Sequence, residues 1–280
     1  MILNYIRWNT DPEIINIFGI SIRYYGLLFA TGLILCIYIL GWIFKRENIP
    51  AKDLEKLTIY GVIGILVGAR LGHCLFYEPS YFLSHPLEII LPITFPPDGG
   101  IKFIGYQGLA SHGGVLGLLI ALYFYSRKTK HSMIDTFDMI AVVSGMSLGF
   151  IRLGNFMNSE IIGMPTTKPW GVIFESVDNL PRHPAQLYEA ISYFIIFTIM
   201  MILYSKMRHK LKNGFFFGLA SVLFFTARFF IEFVKEDQVG FEEGMTLNMG
   251  QLLSLPYISV GIGFIIYGLW RTKSSAHNYV

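Results

Sequence analysis

The stretch Gly149 to Gly163, GFIRLGNFMNSEIIG, closes a long apolar run, Ile134 to Ile151, by setting Arg152, Asn155, Asn158 and Glu160 among glycines and large hydrophobes. An ionisable group at the edge of a hydrocarbon layer is costly unless it is paired or solvated, so such a group marks a candidate site. Guanidinium forks bind phosphate bidentately, and amides and carboxylates can hold the forks in place. The plain alternative is that Arg152 snorkels to the membrane surface while the glycines only allow close helix contact.

Other segments carry the same residue types. Arg228 and Glu232 stand four apart in FFTARFFIEF, so they share a helix face and can pair within the membrane, as a structural salt bridge or as part of a site. In GLASHGGVLG, His112 opens an apolar run and is followed by Gly113 and Gly114, which let another molecule approach the backbone. Free N–H groups at a helix start favour an anion. PRHPAQLYE sets Pro184 just inside a helix start, with His183 before it and Gln186, Tyr188 and Glu189 in the first turns, where capping or helix–helix hydrogen bonds are the ordinary role. Lys235, Glu236, Asp237, Glu242 and Glu243 read as a solvated loop.

The elements that must position these residues follow from composition. Of 280 residues, 53% are hydrophobic and 15% charged, and the mean hydropathy is +0.52. Soluble domains carry about 25% charged residues, so the chain reads as a polytopic membrane protein. The net charge of +3 is small and the basic residues form short separate clusters, which gives no support to nucleic-acid binding. Cys36 and Cys74 sit singly in apolar runs and read as packing residues, without the spacing of a metal site or a disulfide framework. No metal and no cofactor is expected. Met1 to Ile20 lacks a basic start followed by an apolar core, so it does not read as a cleavable leader. Its alternating Ile14 to Ile20 suggests a short interfacial segment, with Trp8 suited to an interface.

Apolar runs able to cross about 30 Å of hydrocarbon, or nearly so, lie at 21–44, 57–77, 112–126, 133–151, 185–205, 215–234 and 249–270. The expectation is an all-α polytopic protein with seven transmembrane helices forming one domain over residues 1–280. The third run is the shortest. Pro79 to Ser111 has room for a re-entrant or interfacial piece, and Trp170 to Phe174 alternates as a short strand in a small periplasmic arm. Gly61, Gly64, Gly68 and Gly72 form a small-residue stripe suited to helix contact. The links after the odd runs and the tail hold 13 of the 22 Lys and Arg, which places the amino terminus outside and the carboxyl terminus inside.

With that orientation, Arg70, Arg152, Arg228, His112, His183, Tyr24 and Tyr25 all fall near the outer leaflet. Basic residues there run against the insertion bias and call for another reason, and a phospholipid headgroup is the anion available at that depth.

These motifs resemble those of the bacterial phosphatidylglycerol–prolipoprotein diacylglyceryl transferases. The matching pieces are RYYGLLFATG, GARLGHCLFYEP, SHGGVLG, RLGNFMNSEIIG, RHPAQLYE, ARFFIEFVKEDQ and NMGQLLSLP, in family order across nearly all of the chain. The resemblance implies an inner-membrane enzyme, with its active site toward the outer leaflet. It would move the diacylglyceryl group of phosphatidylglycerol to the lipobox cysteine of a preprolipoprotein signal peptide, forming a thioether and releasing glycerol phosphate. It implies that Arg152 and Arg228 bind the phosphate, that His112 stands near the reacting centre, and that Tyr25, Asn155, Glu160 and Glu232 orient it. Gly113, Gly114, Arg70 and His183 would add substrate contacts. The substrate brings the thiol, and a positive field or a base would favour the thiolate. Phe224 stands where the family often has a tyrosine, so no hydroxyl role carries over there.

Three rival readings have less behind them, one of them a light-driven or receptor-type seven-helix protein, which lacks a Lys for a retinal Schiff base in Met249 to Trp270. An anion or lipid transporter would use the same arginines but would be expected to show polar groups through the full depth or broken helices in repeated halves. An intramembrane serine protease would need a serine facing a histidine, with Ser147 and His112 the available pair.

Overall fold

A computed structural model describes residues 5–17, 20–91, 93–96, 99–103, 108–236 and 245–276. The chain is mostly helical: α1 Tyr24–Arg46, α2 Ala51–Phe76, the short α3 Pro79–Ser84 and α4 Pro86–Ile90, α5 Ser111–Thr129, α6 Met133–Met157, α7 Ala185–Met207, α8 Phe215–Ile231 and α9 Met249–Ala276. Among the described residues, six helices are long and apolar enough to cross a membrane: α1, α2, α6 to α9. The remaining long helix, α5, coincides with the shortest expected run and has 19 residues.

Beside the expected helices, the described residues form seven short strands: β1 Ile6–Trp8, β2 Glu13–Ile17, β3 Ile20–Arg23, β4 Ile93–Thr94, β5 Lys102–Phe103, β6 Val172–Phe174 and β7 Pro181–Arg182. β2 pairs with β3 and β4 with β5, while β1, β6 and β7 form a three-stranded sheet. The expected strand at Trp170 to Phe174 is β6, parallel to β1 and antiparallel to β7. All three of its residues are buried. The alternating segment near the amino terminus forms β2 and β3, and Ile14, Ile15, Ile17 and Ile22 are exposed. Trp8 does not stand free at a surface. Its ring lies 4.5 Å from that of Phe156, tilted by 47°, and it packs against the cluster of Ile162, Val172 and Phe174.

Two compact units divide the chain, one of Met1–Ile17, Ser21–Leu40 and Phe137–Val280, the other of Phe18–Ile20 and Gly41–Thr136. In the second, the glycine stripe does what its spacing suggests. A Cβ on Gly64 would lie 2.6 Å from Ala121 Cβ and 2.7 Å from the Gly117 carbonyl, and one on Gly72 would lie 2.7 Å from Gly113 Cα. The backbones of α2 and α5 therefore touch, which only glycine allows. Gly61 is the loose end, with Leu118 at an ordinary 3.8 Å. Pro79 to Ser111 holds α3, α4 and the β4–β5 pair, and the buried Glu88 binds it together by accepting from Tyr81 Oη (2.9 Å) and the Phe95 amide (3.0 Å).

In the first unit, Gly145 on α6 takes the backbone of α7, since a Cβ there would lie 2.6 Å from the Tyr193 carbonyl. Gly218 and Gly261 do the same for α8 and α9. Asp138 of α6, wholly buried, accepts the Gly214 and Phe217 amides at 2.7 Å each and so satisfies the first turn of α8 from another helix.

Candidate active site

The site in the first unit starts where α6 stops. The Ser159 amide donates to the Phe156 carbonyl and the Glu160 amide to the Asn155 carbonyl, while Ser159 (φ 53°) and Ile161 (φ 58°) take the left-handed conformation. For a β-branched residue that conformation is uncommon and costs on the order of 1–3 kcal/mol, so neighbours must enforce it. They do: Gln186 Nε2 donates to the Glu160 carbonyl at 2.7 Å, the Glu236 amide to the Ile162 carbonyl, and the Gly163 amide to the His183 carbonyl. A Cβ on Gly163 would collide with the His183 and Val234 backbones, which accounts for the closing glycine of the motif.

The turn sends Glu160 back over its own helix end. Its carboxylate accepts from Asn155 Nδ2 (2.8 Å) and Asn158 Nδ2 (3.3 Å), and Asn155 Oδ1 accepts from Arg152 at 3.2 Å. The Tyr25 ring lies against Gly154, where a Cβ would come within 2.8 Å of Cδ2, and Tyr25 interacts electrostatically with Glu160 and Arg152. Phe224 packs edge-on against Tyr193, 5.3 Å between centroids, and Tyr193 in turn interacts electrostatically with Arg152.

From Arg152 a row of alternating charges runs to Arg228. Arg152 Nε lies 3.0 Å from Glu189 Oε2; Glu189 Oε1 lies 3.5 Å from Lys235 Nζ; Lys235 Nζ lies 3.1 Å from Glu232 Oε2; and Arg228 Nε lies 3.9 Å from that same oxygen. The three inner side chains are buried, at 0, 3 and 5% exposure for Glu189, Lys235 and Glu232, whereas Arg152 and Arg228 keep 17 and 35%. Burial removes water from the inner charges, so each needs the opposite sign on both sides. The row has three cations and two carboxylates, hence one net positive charge, and its more accessible members are the arginines. Gly250 leaves room for Glu232, because a Cβ there would meet the carboxylate. Asn248 Nδ2 at 3.5 Å from the Glu232 carbonyl and Gln251 Nε2 at 3.4 Å from that of Phe229 fix the end of α8 to the start of α9.

Several other expected residues have partners of their own. His183 directs Nδ1 at Tyr188 Oη (3.0 Å), which also accepts from Trp170 Nε1 (2.8 Å). Burial, with Lys168 nearby, lowers the pKa of His183, so it holds this aromatic pair as a neutral ring. In the second unit, Arg70 is buried, donates to the carbonyls of Glu88 (2.5 Å) and Ile89 (3.3 Å), and lies over the Phe82 ring at 4.9 Å. The Cα of Gly113 is packed against Gly68 and Gly72, while Gly114 has only ordinary contacts. His112 is exposed in the first turn of α5, and no side chain caps that helix.

Two members of the charge row escaped the sequence reading. Glu189 stood as a capping residue, yet it is an ionisable group inside an apolar helix, the same signal that singled out Arg228. Lys235 stood in a solvated loop; in the structure it is buried between two carboxylates, and its spacing of three from Glu232 was the available clue. Glu236 pairs with Arg182 at 3.0 Å. Asp237, Glu242 and Glu243 lie outside the described residues.

A family profile described as prolipoprotein diacylglyceryl transferase matches residues 12–267. A phosphatidylglycerol–prolipoprotein diacylglyceryl transferase of Bacteroides fragilis is 56% identical over 262 residues, covering 94% of this chain and 95% of the relative. Proteins of the same name are 44% identical in Tolumonas auensis (91% of this chain, 94% of the relative) and 42% identical in Chloroherpeton thalassium (96% and 97%). With a profile and relatives that cover nearly its whole length, the chain belongs to the prolipoprotein diacylglyceryl transferase family.

Proposed function

We infer that this protein transfers the diacylglyceryl group of phosphatidylglycerol to the lipobox cysteine of preprolipoprotein signal peptides, the first step of bacterial lipoprotein maturation. The observation that carries the chemistry is the charge row ending on Arg152 and Arg228. Among the described residues the buried Arg228 Nε has no hydrogen-bond partner, and its ion pair with Glu232 is a long 3.9 Å. It is placed to take a phosphate diester.

In the reaction, the substrate thiol gives up its proton and its sulfur attacks the glyceryl carbon that bears the phosphate oxygen. The C–S bond forms, the C–O bond breaks, and glycerol phosphate leaves. The phosphate goes from one negative charge to two as the bond breaks, so cations aimed at it favour the transition state over the bound lipid. Arg228 and Arg152 supply those cations. Glu232, and Asn155 with Glu160 behind it, hold them in orientation, and Tyr25 closes the side of α6. His112, beside the uncapped start of α5 with Gly113 and Gly114, is the further group assigned to phosphate recognition. The protein supplies no nucleophile of its own, and nucleic acid is not a partner in this reading.

The same reading makes the chain a single enzyme domain of the bacterial inner membrane, with α5 as the seventh span. At about 1.5 Å per residue its 19 residues reach roughly 28 Å, close to the hydrocarbon thickness. The distribution of Lys and Arg supports an outer amino terminus, an inner carboxyl terminus, a periplasmic sheet of β1, β6 and β7, and an active site toward the outer leaflet.

The test incubates purified protein with phosphatidylglycerol and a lipobox peptide, and follows the peptide adduct and released glycerol phosphate by mass spectrometry. Both products are expected. Folded protein that binds the lipid and forms neither product would turn the arginines into a lipid-binding or transport site.

A further inference from the structure

Arg228 and Glu232 are spaced i,i+4, an arrangement in which oppositely charged side chains ordinarily meet. Here they stop at 3.9 Å, and Arg228 Nε is buried without a hydrogen bond among the described residues. The oxygen that Arg228 faces, Glu232 Oε2, is held instead by Lys235 Nζ at 3.1 Å. Gly250 bounds the carboxylate on another side. Lys235 is itself anchored: its backbone bridges Gly163, its amide donates to the Glu232 carbonyl, and its head reaches Glu189 at 3.5 Å. A carboxylate already satisfied by one cation draws a second one less strongly, because the two cations repel.

We propose that Lys235 is a positioning residue: by holding Glu232 Oε2 and Glu189 together, it keeps Glu232 from closing on Arg228 and leaves that guanidinium open to a phosphate diester. This rests on the transferase reading above and adds to it a residue that touches neither substrate. Removing the lysine charge should let Glu232 swing onto Arg228, so the enzyme would lose lipid affinity through an intramolecular competitor. Removing the Glu232 charge as well takes that competitor away.

The experiment uses the full-length protein in detergent and titrates a short-chain phosphatidylglycerol calorimetrically, beside KM and kcat for transfer to a lipobox peptide and the thermal midpoint. K235M should weaken lipid binding about tenfold, equivalent to about 1.4 kcal/mol, and raise KM for the lipid. K235R should stay within about threefold of the wild type, since the charge and its reach remain. K235M/E232Q should bind the lipid several-fold more tightly than K235M, short of the wild type because Glu232 also orients Arg228, and turnover need not return with it. A lysine that only maintained the fold would give a double variant no better than K235M. The proposal is overturned by a folded K235M with unchanged affinity, or by a double variant that binds as weakly as K235M. Should K235M fail to accumulate, K235Q, which removes the charge but keeps a hydrogen-bonding head between the two carboxylates, takes its place as the single variant and is read by the same affinities. Wild-type protein that binds phosphatidylglycerol without forming product would sink the transferase reading, while the affinities would still decide the role of Lys235.

Discussion

Arg70 and Arg228 are both arginines of apolar helices, and the structure treats them in opposite ways. Arg70 is closed: it is buried, donates to two backbone carbonyls and lies on a phenylalanine ring. Arg228 is open: its one carboxylate neighbour among the described residues is taken by Lys235, and a third of its side chain remains accessible. An arginine is made receptive by acceptors that are already occupied, and burial alone does not distinguish the two cases. The difference also assigns tasks. Carbonyl oxygens cannot leave, so Arg70 holds α3 and α4 to α2, whereas an anion can come and go at Arg228.

The largest expected effect breaks this comparison at its open end. R228A should lower kcat for transfer by about a hundredfold or more, as loss of a group that stabilises developing charge does, with the thermal midpoint near that of the wild type. R228K should not restore it, because an ammonium lacks the planar fork. A folded R228A of normal turnover would show that the open guanidinium is idle. R70A should do the reverse. It strands two buried carbonyl acceptors and should cost on the order of 1–3 kcal/mol of stability, while turnover per folded molecule stays within a few-fold. If R70A folded well and lost turnover, Arg70 would belong with the substrate contacts after all.

How much of this was legible beforehand depended on whether a feature is local. The long helices follow from apolar runs, though their ends do not: α2 begins at Ala51, taking Lys52, Asp53 and Lys56 into its first turns, where length and apolarity alone suggested 57. Arg152, Asn155 and Glu160 were readable because one helix end brings them together. Glu189 and Lys235 were not, because each acquires its meaning from partners 37 or more residues away in sequence: Arg152 for Glu189, and Glu189 itself for Lys235. His183 shows the converse. Its neighbours in sequence suggest capping or hydrogen bonding between helices, and its ring partner is Tyr188, five residues on.

A smaller effect separates the two ends of the glycine stripe. G68A would drive a Cβ into the Gly113 carbonyl and to 2.7 Å from Gly117 Cα, both backbone and neither able to yield. Overpacking of that kind costs typically about 1–3 kcal/mol and should lower the thermal midpoint in detergent. G61A faces only the tip of Leu118 at 3.8 Å, and the gain in helix propensity, up to about 1 kcal/mol, should leave the midpoint equal or higher. Equal losses in the two variants would mean that α2 and α5 meet along the whole stripe.

The smallest effect concerns a third arginine, closed by carboxylates rather than carbonyls. Arg182 takes Asp178 at 2.6 Å, Glu236 at 3.0 Å and the Gly163 carbonyl at 3.2 Å. The bonds from Arg182 hold the pKa of Asp178 below the usual carboxylate range, against the opposing effect of burial. A carboxyl whose pKa is depressed in the folded state stabilises fully above its unfolded value, and that contribution is lost as pH falls through the folded value. The thermal midpoint of the wild type should therefore drop on acidification below about pH 4, and D178N should start lower at neutral pH and show a shallower acid limb. Glu88 contributes in the same direction, since its hydrogen bonds from the Phe95 amide, Tyr81 and Thr94 outweigh burial, so part of the acid limb should survive in D178N. Lipid affinity at neutral pH should be unchanged in this variant. Among the described residues Asp178 pairs with Arg182 and with no second cation, so it has no competition to relieve and no anion to admit. A D178N protein that lost lipid affinity while keeping its fold would show that open and closed arginines are not separate classes in this molecule.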